Sequence, residues 1–374
     1  MFHVKHPARP ALAHLRAALE ALERGALLRT RAAPHRCPRP SFCSNDYLGL
    51  AGLDFDGART ASPGAGASRL VTGEADAHVA LEKSLASWLG AETALTFTSG
   101  YAANVGLISS LAGAGDVVIS DALNHASLVD GCRLARAEVR VVPHLDLDAV
   151  RGALVDARGG RAWVVTETYF SMDGDSPDLA ALRLLCDEAG AGLIVDEAHA
   201  LGVLGPDGRG LCAAAGVVPD ALVGTFGKSF GRQGAFVAGD AVLTEWLWNR
   251  ARSFVFSTGL SPAIAASVSR AIEHARANPE LRATCLARAA ALREGLRRFG
   301  ASGGPGPIVP LHIGSPERAL SIAAAAQAGG VHVLAIRPPT VPLDTARLRL
   351  TATAAHTADD VAVAIDVLSA LLRR

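Results

Sequence analysis

The sequence predicts an α/β fold with a mostly parallel central sheet and a smaller C-terminal α+β domain. Seven short apolar runs between residues 94 and 239 alternate with helical stretches, and each run is continuous in its apolar residues. Continuous apolar strands are typical of parallel sheets whose two faces are both covered by helices. Beyond residue 277 the pattern changes to shorter strands and a closing helix, which indicates a second unit.

Residues 1–44 are expected to form a helical arm. The stretch ALAHLRAALEALERGALLRTR has the amphipathic period of a helix, with Gly25 near its middle or end. The proline-rich segment PHRCPRP then ends the helix, and the Gly-, Ala- and Ser-rich segments that follow are typical of loops.

The large domain is assigned to residues 45–277 and the small domain to residues 278–374. The strands of the large domain are predicted in the segments ALTFTS, DVVIS, VRVVP, AWVVTET, GLIVDEA, ALVGTF and GAFVAG. The helical pattern SPAIAASVSRAIEHARA closes this domain. The small domain has strand patterns in IVPLHIG, GVHVLAI and ARLRLTAT and ends in the helix TADDVAVAIDVLSALLRR.

The composition argues against several classes of function. The 374 residues carry a formal net charge of zero, so neither a nucleic acid nor an anionic membrane would be attracted as a partner. The six cysteines are scattered, without a C-x-x-C pair or a His–Cys cluster, so no metal site is expected. Such cysteines are typical of a reduced cytoplasmic protein. No apolar run is long enough to span a bilayer and no targeting segment is apparent, so we expect a soluble protein.

Lys228, in TFGKSFG, is unusual because the chain has only three lysines and otherwise uses arginine. A desolvated lysine can lose its proton near neutral pH, whereas arginine cannot. Its position after an apolar strand therefore indicates that the amine itself is needed. The alternative is a surface lysine that happens to lie between two glycines.

Polar residues collect where the predicted strands end, which is where ligands bind in open parallel sheets. They are Ser99, Gly100, Tyr101, His125, Glu167, Ser171, Asp196, His199, Thr225 and Lys228. Taken singly, Asp196 could cap a turn, His125 could be structural and Gly100 could serve a tight turn. Together they supply a phosphate cradle, a carboxylate for a ring nitrogen, a flat ring to stack and an amine nucleophile. That combination predicts a site for pyridoxal 5'-phosphate (PLP).

Several motifs carry a resemblance to a known family. SNDYLGL, SGYAAN, HASL, FSMDGD, VDEAH, TFGKSFG and RLRLTATAAH occur in this order. In that order they resemble the α-oxoamine synthases, which are PLP-dependent transferases of the aspartate-aminotransferase-like fold (fold type I). The segment AIRPPTVP, residues 335–342, resembles the alanine-using branch of that family.

The resemblance implies a decarboxylative condensation of L-alanine with a pimeloyl thioester, either pimeloyl-CoA or a pimeloyl carrier protein. The products would be 8-amino-7-oxononanoate, CO2 and the free thiol, in biotin biosynthesis. A homodimer with the active site at the subunit interface is implied as well.

The resemblance also implies roles for the residues of the site. Lys228 would form the Schiff base and move protons, Asp196 would pair with the pyridine nitrogen, and His125 would stack on the ring. His199 and Ser171 would hydrogen-bond the phenolic oxygen of PLP or the substrate carboxylate. The phosphate would be held by residues of two subunits: Ser99, Gly100, Tyr101 and Thr225 of one, with Ser257 and Thr258 of its neighbour.

Three residues would bind substrate. Asn45 and Arg337 would hold the alanine carboxylate, for which a guanidinium fork is suited. Arg29 would help to bind the acyl thioester.

Three alternatives stay open. Sibling enzymes such as glycine C-acetyltransferase would share every cofactor residue and differ in their substrates. A non-catalytic partner subunit would be expected to lack the lysine, which is present here as Lys228. A nicotinamide dehydrogenase would need G-x-G-x-x-G after the first strand, and this sequence lacks that motif.

Overall fold

The computed structural model describes residues 13–29, 40–55, 61–157 and 160–373. Its central sheet has seven strands, and the predicted segments overlap them one for one. They are β1 (Thr93–Phe97), β2 (Val117–Asp121), β3 (Glu138–Val142), β4 (Ala162–Glu167), β5 (Gly192–Asp196), β6 (Ala221–Thr225) and β7 (Ala235–Gly239). The order across the sheet is β1-β7-β6-β5-β4-β2-β3. β7 runs antiparallel to both of its neighbours, β1 and β6, and all the other pairs are parallel. The prediction of a mostly parallel sheet is therefore confirmed.

After an N-terminal helix, α1 (Ala13–Arg24), that is exposed along residues 14–24, helices cover both faces of this sheet. They are α2 (Asp76–Leu89), α3 (Gly100–Leu111), α4 (Ala126–Leu134), α5 (Leu147–Asp156), α6 (Leu179–Ala189), α7 (Gly210–Ala215), α8 (Ala241–Arg250), α9 (Arg252–Val255) and α10 (Pro262–Ala277). Leu193 and Val195 of β5 lie in one core, and Ile194 between them lies in the other. A strand buried on both faces has to be apolar at every position, which explains the continuous apolar runs.

The C-terminal part of the chain forms a second, smaller sheet. Its strands are β8 (Ile308–Gly314), β9 (Leu334–Ile336) and β10 (Ala346–Thr351), in the order β8-β10-β9 and antiparallel throughout. Three helices accompany it: α11 (Glu280–Leu296), α12 (Pro316–Ala328) and α13 (Ala358–Leu372). Leu292, Val309, Leu348 and Leu368 lie in its core.

The boundary between the large and the small domain lies between α10 and α11 in our division of the chain. α10 joins a core of the large sheet and α11 joins the core of the small one, so we keep the division at residue 277 as our proposal. Residues 1–12 and 30–39 of the predicted arm lie outside the described residues. Phe42 is fully buried in the core of the small sheet, where its ring stacks on His356 at 4.2 Å. The end of the predicted arm is therefore part of the small unit.

Two possible features are not found in the described ranges. No helix there is both long and apolar enough to cross a bilayer. Nor do these ranges hold a group of three His, Cys, Asp or Glu side chains that could bind a metal ion.

Candidate active site

A cleft of about 410 Å³ lies where the parallel strands end. Nine of the residues predicted for the site line it: Asn45, Ser99, Gly100, Tyr101, His125, Asp196, His199, Thr225 and Lys228. They come from segments far apart in the chain, and the carboxyl ends of β1, β2, β5 and β6 bring most of them together.

Lys228 lies in the turn that follows β6 and is half-buried. Burial lowers the pKa of its amine to about 8, and the positive charge of Arg349 acts in the same direction. The carboxylates of Asp196 and Glu167 oppose this shift without cancelling it. The amine is therefore far easier to deprotonate than an ordinary lysine.

Asp196 ends β5 and is buried. Its Oδ1 accepts a hydrogen bond from the Ala198 N–H at 2.8 Å, and its Oδ2 accepts one from Asn104 Nδ2 at 2.7 Å. These contacts fix the orientation of the carboxylate at the floor of the cleft.

His125 is the N-cap of α4 and is exposed in the cleft. Its backbone N–H donates to Glu167 Oε1 at 2.8 Å. Desolvation by the surrounding protein lowers the pKa of the imidazole; Lys228 adds to that effect and Asp196 opposes it. Burial raises the pKa of Glu167, and the nearby charge of Asp196 raises it further. The sequence pointed to Glu167 as a strand-end residue but gave it no role.

The N-terminus of α3 faces Thr225. Ser99 caps the helix, and its Oγ accepts from the Ala102 N–H at 3.1 Å. A Cβ at Gly100 would come within 2.6 Å of Thr225 Cγ2, so only glycine leaves this gap open. Thr225 Oγ1 is buried and has no hydrogen-bond partner. Free N–H groups at a helix start and an unpaired hydroxyl together suit the phosphate of PLP.

His199 and Tyr47 form a buried pair beside Lys228. The Tyr47 hydroxyl lies 2.6 Å from His199 Nδ1. Burial, and then the charges of Lys228 and Arg349, hold the pKa of His199 well below its usual value. His199 is thus a neutral imidazole at physiological pH.

Arg349, in β10, is a site residue that sequence reasoning missed. It is buried, and its Nε donates to the Ser171 carbonyl at 2.5 Å. Its Nη1 donates to Asn45 Oδ1 at 3.0 Å and to Thr351 Oγ1 at 2.9 Å. Its Nη2 is buried without a partner. The sequence offered no clear signal for it, because arginine alternates with leucine in RLRLTATAAH as in a strand with one exposed face.

Arg337 and Arg29 lie elsewhere. Arg337 is half-buried and its Nη1 donates to the Ala26 carbonyl beyond the end of α1. Arg29 is exposed, and its Nη2 donates to Thr340 Oγ1 at 2.8 Å. Arg29, Arg337 and Arg349 are all absent from the lining of the cleft, but Arg349 contacts Asn45, which does line it. That Asn45 and Arg337 together hold the alanine carboxylate stays a prediction.

Three further predicted residues lie outside the lining of the cleft. Ser171 is buried and contributes its carbonyl to Arg349. Ser257 and Thr258 line a small separate cleft together with Arg69 and Thr96. Their predicted contact with the phosphate of a neighbouring subunit stays a prediction.

Comparisons with known proteins identify the family of this chain. Residues 41–368 match the family of aminotransferases of class I and II. The 8-amino-7-oxononanoate synthase of Anaeromyxobacter dehalogenans (strain 2CP-1) is 47% identical over 342 residues, which cover 89% of this chain and 86% of the relative. The enzyme of the same name from Mycolicibacterium smegmatis is 46% identical over 91% of each chain. The chain belongs to the 8-amino-7-oxononanoate synthase family.

Solved structures resemble this one over nearly its whole length. A lysine-to-alanine variant of serine palmitoyltransferase from S. paucimobilis, with bound PLP and myriocin, has a TM-score of 0.89 at 29% identity and covers 98% of this chain and 99% of its own. The 8-amino-7-oxononanoate synthase of Francisella tularensis has a TM-score of 0.77 at 25% identity and covers 89% of this chain and 97% of its own. The predicted fold class of PLP-dependent transferases is confirmed.

Proposed function

We propose that this chain is a PLP-dependent enzyme that condenses L-alanine with a pimeloyl thioester to 8-amino-7-oxononanoate, CO2 and free thiol, a step of biotin biosynthesis. The observation that carries the proposal is the meeting of Lys228, Asp196 and His125 at one cleft, with Arg349 bound to Asn45 of its lining. An amine, a carboxylate, a flat ring and a guanidinium are what this chemistry needs from a protein. The relatives named 8-amino-7-oxononanoate synthase support the choice within the family.

The residues of the cleft fit PLP. The start of α3 and the unpaired Thr225 hydroxyl would hold the phosphate, and Asp196 would meet the ring nitrogen. When bound, PLP supplies an electron sink for the carbanion that the reaction forms at the alanine Cα.

The alanine carboxylate would bind Arg349. Its unpaired Nη2 is a buried donor that a carboxylate oxygen would satisfy, and the guanidinium is already held by Ser171 and Thr351. A preorganised fork of this kind suits bidentate recognition. Asn45, whose Oδ1 accepts from Arg349, lies beside the same position.

Lys228 would move the proton at the alanine Cα. A general acid–base group works best when its pKa lies near the operating pH, and burial brings the pKa of this amine to about 8. His199 stays neutral, so it can hydrogen-bond a ligand oxygen without competing for that proton.

The acyl thioester would enter past Arg29 and Thr340. This exposed hydrogen bond joins the segment that follows α1 to the segment 337–340. An exposed guanidinium suits the phosphates of CoA and of a carrier-protein arm equally.

We also propose a homodimer, with Ser257 and Thr258 serving the neighbour's site. Four buried cysteines, Cys132, Cys186, Cys212 and Cys285, are free thiols, which supports a reducing compartment such as the cytoplasm.

The test is turnover with purified protein, PLP, L-alanine and pimeloyl-CoA, with the mass of the product measured. A parallel reaction contains glycine in place of alanine and acetyl-CoA in place of pimeloyl-CoA. We expect the mass of 8-amino-7-oxononanoate in the first reaction only. A faster reaction of glycine with acetyl-CoA would identify a glycine C-acetyltransferase and overturn the proposal.

A further inference from the structure

Four side chains form a continuous hydrogen-bonded row beneath the cleft. His125 Nδ1 lies 2.7 Å from Ser127 Oγ, at the start of α4. Asn104 Nδ2, in α3, donates to Ser127 Oγ at 2.9 Å and to Asp196 Oδ2 at 2.7 Å. The row thus connects the ring that would stack on PLP with the carboxylate that would meet its ring nitrogen.

The direction of each hydrogen bond follows from the groups present. An ionised carboxylate only accepts, so the amide nitrogen of Asn104 has to face Asp196. Turning the amide over would set its oxygen against the carboxylate oxygen at the same short distance. Asn104 Oδ1 is left buried without a partner, which this orientation requires.

The hydroxyl and the backbone N–H of Ser127 both face His125 Nδ1. The hydroxyl oxygen accepts from Asn104, so its single hydrogen is free to point to His125 Nδ1. Nδ1 also accepts from the Ser127 backbone N–H at 3.2 Å. A nitrogen that accepts twice carries no proton, and a neutral imidazole therefore carries its proton on Nε2.

The surroundings favour this neutral form. The charged and titratable groups that face His125 are Asp196, Lys228, Glu167 and His199. Desolvation and Lys228 together outweigh Asp196, so the pKa of His125 lies below its usual value. Asn104 and Ser127 are each only 1% exposed, so the bonds between them are shielded from water.

We propose that Asn104 and Ser127 are positioning residues that fix His125 as the neutral Nε2–H tautomer and hold Asp196 in place. The inference rests on the proposed function in that it assigns PLP to this cleft. His125 would then offer one donor, Nε2–H, to a ligand oxygen while taking up no proton itself. Proton movement would be left to Lys228.

The tautomer can be measured directly in the PLP-loaded protein. Histidine labelled with ¹⁵N gives separate signals for acceptor-type and donor-type ring nitrogens, and the His125 signals are assigned by their loss in His125→Asn. Between about pH 6 and 8, we expect Nδ1 to be the acceptor-type nitrogen and Nε2 the donor-type one. Ser127→Ala should mix the two tautomers and raise the pKa of His125, and Ser127→Thr, which keeps the hydroxyl, should restore the wild-type signals.

Asn104→Ala tests the other end of the row, and Asn124→Ala is its matched control. Asn124 is also buried, also donates two hydrogen bonds, and also leaves its Oδ1 unpaired, but its partners are Ser120 and Val165. We expect Asn104→Ala to weaken PLP binding about tenfold, because a hydrogen bond to a charged group is lost. Asn124→Ala should lower the melting temperature alone.

Three results would overturn the inference: a proton on Nδ1 in the wild type, unchanged His125 signals in Ser127→Ala, or equal effects of Asn104→Ala and Asn124→Ala on PLP binding. Should Asn104→Ala fail to fold, the Ser127 variants still decide the question. None of these readouts depends on turnover. The inference about Asn104 and Ser127 can therefore be tested even if the proposed substrates prove wrong.

Discussion

At the scale of single residues, Arg349 differs from Arg29 and Arg337 in its burial and in its hydrogen bonds. Arg349 is 6% exposed and leaves one nitrogen unpaired, whereas Arg29 is exposed and Arg337 is half-buried. A buried guanidinium with an unused donor is costly unless a ligand satisfies it. Arg349 is therefore the arginine we expect to bind the alanine carboxylate.

Arg349→Lys should lower the affinity for L-alanine about ten- to hundredfold, because lysine keeps the charge but loses the planar fork. Arg337→Lys is the matched control and should change that affinity about twofold or less. The Michaelis constants for alanine and for the acyl thioester, measured separately, give the comparison. An equal or larger loss of alanine affinity in Arg337→Lys would return the carboxylate to Arg337 and contradict the geometry of the cleft.

At the scale of elements, the start of α3 depends on one glycine. Gly100 lies opposite Thr225, and a methyl group there would meet Thr225 Cγ2 at 2.6 Å. Thr225 would have to turn away, and its unpaired Oγ1 would turn with it. The helix itself would tolerate alanine, which is the better helix former.

Gly100→Ala should therefore weaken PLP binding about tenfold, because the displaced Thr225 hydroxyl is lost to the phosphate in addition to the cost of the extra methyl group. The melting temperature of the PLP-free protein should change much less, because alanine is the better helix former. Gly113→Ala is the control, because a Cβ at Gly113, just beyond the other end of α3, meets nothing within 4 Å. Titration of the PLP-free protein with PLP, followed by absorbance, measures both. Unchanged PLP binding in Gly100→Ala would remove the phosphate from the start of α3.

The loop of residues 170–175 carries the Ser171 carbonyl that orients Arg349. His144 ties this loop to the sheet: its Nδ1 lies 2.8 Å from Asp121 Oδ1 and its Nε2 lies 3.1 Å from Asp175 Oδ2. Burial by itself would lower the pKa of His144, but the two carboxylates outweigh it and raise the pKa to about 10. The imidazole is therefore charged at neutral pH.

This raised pKa gives a pH dependence with a defined sign. The folded state holds the proton of His144 more tightly than the unfolded state, so the stabilisation is complete below about pH 6.5. It is lost as the pH rises towards 10. His144→Gln should thus lower the free energy of unfolding most near pH 6 and least near pH 10. Urea unfolding at several pH values tests this, with His14→Gln on the exposed face of α1 as control. A difference that does not change with pH would contradict the assigned charge.

At the scale of the whole molecule, the fold could be predicted because its signals are local. The inner strands of the large sheet are mainly apolar runs, unlike the edge strand β3 with its Glu138 and Arg140, and parallel pairing between helices leaves few other ways to bury such runs. The antiparallel direction of β7 was not predicted, since the apolar pattern of a strand does not encode its direction. The burial of Phe42 in the small unit was missed for a similar reason: that contact spans more than 300 positions of the chain.

The site was predictable where residues follow strands directly, as Asp196 and Lys228 do. Arg349 was missed because it lies inside a strand, in RLRLTATAAH, where alternation with apolar residues makes it look like an exposed position. Arg337 was chosen because it lies in AIRPPTVP, the segment that carries the resemblance to the alanine-using branch. Asn104 and Ser127 gave no signal of their own, since small polar residues near helix starts are commonly caps.

A further property of the whole molecule concerns its surface beside Thr258. Phe256 is 72% exposed and Val71 is 73% exposed. Their segments are joined by hydrogen bonds from Ser68 Oγ to the Val255 carbonyl at 2.8 Å and from the Gly259 N–H to the Ala67 carbonyl at 2.9 Å. An exposed apolar surface next to residues expected to serve a phosphate is what a dimer with shared active sites requires.

Sharing of the site between subunits can be tested by mixing two inactive variants. Lys228→Ala removes the amine, and Thr258→Asp places a negative charge where the neighbour's phosphate is expected. In a mixed dimer, one site combines Lys228 from one subunit with Thr258 from the other, and both residues are intact there. Random reassociation makes half of the dimers mixed, each with one working site of two, so about a quarter of wild-type activity should return. If Thr258 served the site of its own chain, every site of the mixture would lack one of the two residues. The mixture would then stay as inactive as its parts, and the proposed arrangement of the dimer would be wrong.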